Sequence, residues 1–103
     1  MNREELIIEL KKIKKFFVAK YGIEALALFG SYAKGVQTQH SDIDLVVFSD
    51  KRNYFDLIEM EYFIYEKTKT KVDLGYFSGM KTFIQENIKK DLEKWTPLFR
   101  QLV

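Results

Sequence analysis

From its start the chain repeats apolar residues three and four apart. Leu6, Leu10, Ile13, Phe17 and Tyr21 form one stripe, and Lys11, Lys12, Lys14 and Lys15 fall largely off it. The spacing predicts a helix over residues 2–21. Asn2 with Glu5 resembles a capping box, and Gly22 suits a C-terminal cap. Ala25 to Phe29 is a short unbroken apolar run, as expected of a strand buried on both faces. It ends at Gly30-Ser31, which opens a short helical turn. Asp42 to Phe48 reads as a second strand and Ser49 to Arg52 as a polar loop. Asn53 then caps a helix of roughly 54–67, with Phe55, Ile58, Tyr62 and Tyr65 on one face. In Lys71 to Phe77, Val72, Leu74 and Tyr76 alternate with Lys71, Asp73 and Gly75, the period of a third strand. Ser78 is the expected cap of a last helix carrying Ile84, Ile88, Leu92 and Trp95, stopped by Pro97.

The order of these elements predicts an α/β (α+β) fold, a three-stranded sheet covered by helices. The helix between strands two and three is a crossover, which makes that pair parallel. The short 31–41 connection makes strands one and two antiparallel. With 103 residues and no Gly/Ser linker or repeat, residues 1–103 are expected to form a single domain.

Composition narrows the chemistry. There is no cysteine and one histidine, His40, so thiolate chemistry and a multi-histidine zinc site are excluded. Seventeen Lys and Arg against 15 Asp and Glu give a net charge of +2, too small for strong DNA binding. No run approaches the ~18 apolar residues of a membrane span. Met1-Asn2-Arg3-Glu4-Glu5 lacks the basic start of a signal peptide, so a cytoplasmic protein is expected.

The chemistry-bearing stretch runs from Gly30 to Val47. Asp42 and Asp44 stand two apart on a strand and project to the same side. Two adjacent carboxylates repel each other unless a cation lies between them, and hard oxygen ligands suit Mg²⁺ or Mn²⁺. Gly30 lets the backbone approach a ligand closely, while Ser31 offers a hydroxyl and an N–H suited to phosphate. Lys34 adds positive charge one turn on. The predicted topology brings Asp73 beside the Asp42–Asp44 pair and Gly30-Ser31 to the same edge. Two divalent ions ~4 Å apart, shared by carboxylates, can run in-line displacement at phosphorus.

Gly-Ser, ten residues, Asp-x-Asp and a later lone Asp resemble the nucleotidyltransferase superfamily that includes DNA polymerase β. The segment order resembles its minimal (MNT-domain) members. The resemblance implies that Asp42, Asp44 and Asp73 are catalytic and hold two Mg²⁺ ions. It implies that Gly30 and Ser31, with Lys34 and Ser41, bind the nucleotide, ATP. Many minimal members have Arg at the place of Lys34, and lysine lacks that planar fork. MNT proteins are commonly paired with a HEPN-domain ribonuclease toxin, and the MNT partner is the antitoxin that adenylylates a toxin tyrosine. The resemblance therefore implies a protein adenylyltransferase antitoxin, with a HEPN toxin as partner and a homo- or hetero-oligomer as its form. A non-catalytic antitoxin acting by complex formation stays open, as does transfer to RNA or a small molecule.

Other features have plainer readings. His40 is expected in a solvent-facing loop and the lysines of the first helix on a solvated face. Gln37, Thr38 and Gln39 lie beside the site. Trp95 is expected as core packing or a lid. Tyr54, Tyr62 and Tyr65 are expected in the core or partly exposed, and the 16 aromatics leave a surplus suited to a protein–protein surface. With three acids assigned to metal, the 17 bases exceed the remaining acids by five.

Overall fold

A computed structural model describes residues 2–94, with side chains through residue 90. Helix α1 spans Arg3–Tyr21. The Asn2 side chain accepts from the Glu5 N–H at 2.8 Å, and Gly22, at φ 68°, closes the helix with its N–H on the Val18 carbonyl. Leu6, Leu10, Ile13 and Phe17 of the predicted stripe are buried, and Ile7 joins them.

Strand β1 (Ala25–Phe29) leads into the one-turn helix α2 (Gly30–Lys34), then into β2 (Ile43–Phe48). Helix α3 (Tyr54–Thr68) crosses to β3 (Val72–Tyr76), and a 3₁₀ turn (Phe77–Gly79) precedes helix α4 (Thr82–Lys94). The sheet order is β1-β2-β3, with β1 antiparallel and β3 parallel to the central β2. Ile43, Leu45, Val46 and Val47 are all at most 1% exposed, as a strand covered on both faces requires.

One expectation needs correction and another gains a direction. Ser78 does not cap the last helix. It lies within the 3₁₀ turn, and the hydrogen bonding of α4 begins at the Lys81 carbonyl just before the helix, which accepts from the Ile84 and Gln85 N–H groups. The apolar face named on α3 is also the outer one. Phe55, Ile58, Tyr62 and Tyr65 are 81%, 64%, 66% and 45% exposed, while Leu57, Met60, Ile64 and Thr68 are buried. Helix α3 is apolar nearly all round, so two sets of positions fit a helical period. The inward set is mainly aliphatic, whereas a buried tyrosine hydroxyl needs a partner. Phe63 takes the seam with α1, stacking on Phe16 at 4.8 Å and meeting Phe17 edge-on at 5.6 Å. The expectations for the Leu92 side chain, Trp95 and Pro97 lie outside the described residues and side chains.

The start of α3 is tied to the end of β3. Asn53 Oδ1 accepts from the Phe55 and Asp56 N–H groups. The Tyr76 hydroxyl donates to the Asn53 carbonyl at 2.9 Å and accepts from its N–H at 3.2 Å. This clamp sets how α3 lies over the strand that carries Asp73.

The rotation of α3 gives a stability contrast. Met60→Ala is expected to cost about 2–5 kcal/mol as a fully buried truncation. Ile58→Ala, two positions away on the opposite side of the helix and exposed, should stay within about 0.5 kcal/mol. Urea unfolding of both variants checks this, and similar losses would place the core on the wrong face of the helix.

Candidate active site

Three carboxylates arise where β2 and β3 begin. Asp44 is directly in register with Asp73 across the parallel pair, and with Phe29 across the antiparallel one. Parallel neighbours in register share a face and lie ~4.8 Å apart, so Asp44 and Asp73 stand side by side. Asp42 falls one residue before the first residue of β2. One Asp42 oxygen lies 3.8 Å from Lys71 Nζ, an exposed pair that adds little stability.

Asp44 bears the strain of this arrangement. Partial burial pushes its carboxyl up from the ordinary value, and the charges of Asp73 and then Asp42 push the same way. Glu61, on α3, belongs to the same neighbourhood. Burial raises its carboxyl, the Leu74 N–H opposes that, and Asp73 raises it further. Glu61 was not singled out from sequence, because an acid inside a helix gives no spacing signal that ties it to a distant strand. Among the described residues, no three acidic or histidine side chains stand close enough together to enclose a metal ion as they are. The donor set nevertheless fits a hard divalent cation: all oxygen, anionic, and mutually repelled in its absence.

Gly30 faces this group directly. Its φ is 71°, and a Cβ there would collide with the Asp44 carboxylate oxygen. Glycine is thus required twice, once by backbone conformation and once by the close approach of Asp44. Ser31 follows immediately, half-buried in the first turn of α2, while Lys34 lies exposed in the last turn. Tyr32 and Ala33 anchor α2 in the core.

The loop from α2 to β2 is held by its own side chains. Ser41 Oγ accepts from the Thr38 N–H at 2.9 Å, and the Ser41 N–H donates to the Thr38 carbonyl at 3.1 Å. Thr38 Oγ1 accepts from the His40 N–H at 3.2 Å. The Ser41 hydroxyl, named from sequence as a nucleotide contact, therefore has a structural task in orienting the approach to Asp42. His40 is exposed, as expected.

These positions form a doubly acidic strand pair with a glycine turn pressed against it, inside a three-stranded mixed sheet. The family model for the nucleotidyltransferase domain matches residues 10–95. The chain belongs to the nucleotidyltransferase-domain family. It is 38% identical over 85 residues to MJ0128 of Methanocaldococcus jannaschii, which is named a protein adenylyltransferase; the match covers 81% of this chain and 87% of the relative. Among solved structures, a minimal nucleotidyltransferase superposes with a TM-score of 0.76 at 24% identity, covering 88% of this chain and 93% of the other. A toxin–antitoxin complex solved with AMP-PNP superposes with a TM-score of 0.64 at 20% identity, covering 97% of this chain and 88% of that one. The nucleotidyltransferase fold and enzyme class read from the sequence are thereby borne out. Among the described residues, no helix of this nucleotidyltransferase domain is long and apolar enough to cross a membrane.

The electrostatics of Asp44 can be tested without substrate. Its carboxyl holds a proton to higher pH in the folded protein than in the unfolded chain. The metal-free fold is therefore favoured at acid pH and loses that advantage as pH rises through the carboxylate range. Asp44→Asn should raise the melting temperature at pH 7 and change it far less at about pH 3, because the raised carboxyl sheds its charge first as pH falls. Equal effects at both pH values would show that charge repulsion is not the cause. Gly30→Ala should lower the melting temperature at both pH values, because its clash with Asp44 is steric.

Proposed function

We propose that this chain is an Mg²⁺-dependent protein adenylyltransferase that moves AMP from ATP to a hydroxyl of a partner toxin and so acts as an antitoxin. The observation that carries the reading is the in-register pairing of Asp44 with Asp73, with Asp42 two residues earlier and Gly30 packed against Asp44. A like-charged group of this kind beside a glycine turn has a use when cations and a triphosphate join it.

In this reading Asp42, Asp44 and Asp73 hold the metal, as two Mg²⁺ or Mn²⁺ ions. Bound there, divalent ions screen charge on the attacking and leaving oxygens of an in-line displacement. Gly30 and the Ser31 N–H and hydroxyl hold the β- and γ-phosphates, and Lys34 supplies a point charge to the triphosphate. Ser41 contributes through the loop it orders. The acceptor oxygen forms a new bond to the α-phosphorus, the bond from that phosphorus to the bridging oxygen of the β-phosphate breaks, and pyrophosphate leaves. Asp73, the most exposed of the three carboxylates, orients the acceptor hydroxyl and takes its proton.

The acceptor is proposed to be a tyrosine of a HEPN-domain ribonuclease. Support comes from the relative named as a protein adenylyltransferase and from the toxin–antitoxin neighbour. The chain is proposed to work as one domain in the cytoplasm. The outward side of α3, with Phe55, Ile58 and Tyr62 mostly exposed, offers an apolar surface of the kind partner proteins cover.

Purified chain with labelled ATP, Mg²⁺ and its cognate toxin should transfer label to the toxin. Asp44→Asn should reduce transfer by more than about 100-fold, and chelation of divalent ions should abolish it. Full protection by a triple variant lacking Asp42, Asp44 and Asp73 carboxylates would instead favour neutralisation by binding alone. Label appearing on RNA or on a small alcohol, with none on the toxin, would keep the chemistry and change the acceptor.

A further inference from the structure

Helix α2 is a single turn of five residues, too short to hold its own shape. Three of its carbonyls near the C-terminal end have named partners. Gly35, at φ 73°, sends its N–H to the Tyr32 carbonyl at 3.2 Å, and Val36 sends its N–H to the Ser31 carbonyl at 3.0 Å. These two bonds make a Schellman closure. The carbonyl of Ala33 lies beyond their reach, and a residue thirty positions away serves it: Arg3 Nη1 donates to Ala33 O at 3.1 Å. The same guanidinium packs on Gly35, where an added Cβ would come within 3.0 Å of Arg3 Nη1. Arg3 is half-buried in the first turn of α1, a helix fixed in the core by Leu6, Ile7 and Leu10.

The geometry points to Arg3 as a positioning residue for the Gly30-Ser31 turn. Its guanidinium ties α2 to the rigid start of α1, from the end of α2 opposite the carboxylates. At the other end Gly30 is pressed against Asp44, so the short helix is pinned at both termini. With one pin removed, α2 can tilt or fray, and the Ser31 N–H and hydroxyl no longer meet the phosphates in a fixed orientation. A hydrogen bond from a charged donor is stronger than one from a neutral donor, which suits Arg3 to holding a single carbonyl. Arg3 touches no reacting atom in this account. The inference rests on the reading of Gly30-Ser31 as the phosphate contact for its effect on ATP, and on the hydrogen bonds alone for its effect on α2.

Two measurements on the full chain separate these parts. Amide hydrogen exchange of Arg3→Ala should speed at Gly35 and Val36 while protection in the middle of α1 is kept. In steady-state transfer, Arg3→Ala should raise the KM for ATP by about ten-fold with kcat changed less than about two-fold, the pattern of lost ground-state binding. Arg3→Lys keeps a charged donor and should recover part of the loss in both measurements. A purely structural role would lower the melting temperature and the active fraction while leaving KM for ATP alone, and that result overturns the proposal. Unchanged exchange at Gly35 and Val36 overturns it independently of any substrate. Wild-type protein that binds no ATP would sink the functional reading, and the exchange arm would still decide the bracing of α2. If Arg3→Ala does not fold, Arg3→Lys decides: unchanged KM and exchange overturn the proposal, and intermediate values support it.

Discussion

Asp44 stands beside Asp73 with Asp42 two residues before it, and its own partial burial already disfavours charge. Proteins rarely keep several carboxylates together without compensation, because like charges and lost hydration both count against the ionised state. The surrounding fold can be read as the apparatus that enforces this contact. Strand β2 is central, buried on both faces, and cannot shift by one residue without turning Asp44 into the core and Leu45 out of it. Strand β3 is held in parallel register by the α3 crossover, whose first turn is clamped by Tyr76. Gly30 closes the group from the side of β1. The site is therefore kept in place by core packing, and the carboxylates contribute repulsion that a bound cation would relieve.

The same constraint explains how so short a chain can bring three carboxylates and a glycine turn to one edge of its sheet. The functional positions sit at strand ends and in the turn that follows β1, all positioned by the three-stranded core. Connections at strand ends are free to approach ligand because their side chains do not pack the interior. Helix α2 shows the cost of compactness. One turn of helix has few internal hydrogen bonds, and its geometry is borrowed from Tyr32 and Ala33 in the core, Gly35 at its end and Arg3 from α1.

Much of this was legible in the residues. The caps at Asn2, Gly22 and Asn53, the unbroken apolar run of β1 and the alternation in β3 are local signals, each formed by contacts within a few positions. The parallel and antiparallel senses of the sheet followed from connection length. The convergence of Asp42, Asp44 and Asp73 followed in turn, since the topology leaves them one place to meet. Other features were not legible. The inward face of α3 was chosen by the surface it packs on, and a helix apolar nearly all round gives periodicity no means to choose. The start of α4 moved past Ser78 because residues 77–79 close a 3₁₀ turn first. Arg3 and Glu61 gave no signal, because each acts on a partner far along the chain.

The sequence by itself determined most of the elements, their order, the senses of the strands and which carboxylates and glycine turn would share one edge of the sheet. All of these depend on short-range periodicity, on capping chemistry or on a motif of fixed spacing. Only the tertiary structure decided which side of α3 faces the core, how closely Gly30 approaches Asp44, and that Arg3 completes the closure of α2. Those outcomes depend on competition among surfaces that are equally good in isolation, and on contacts across thirty residues of chain. Packing resolves such choices once all the elements are present, and no single segment contains the information to do so.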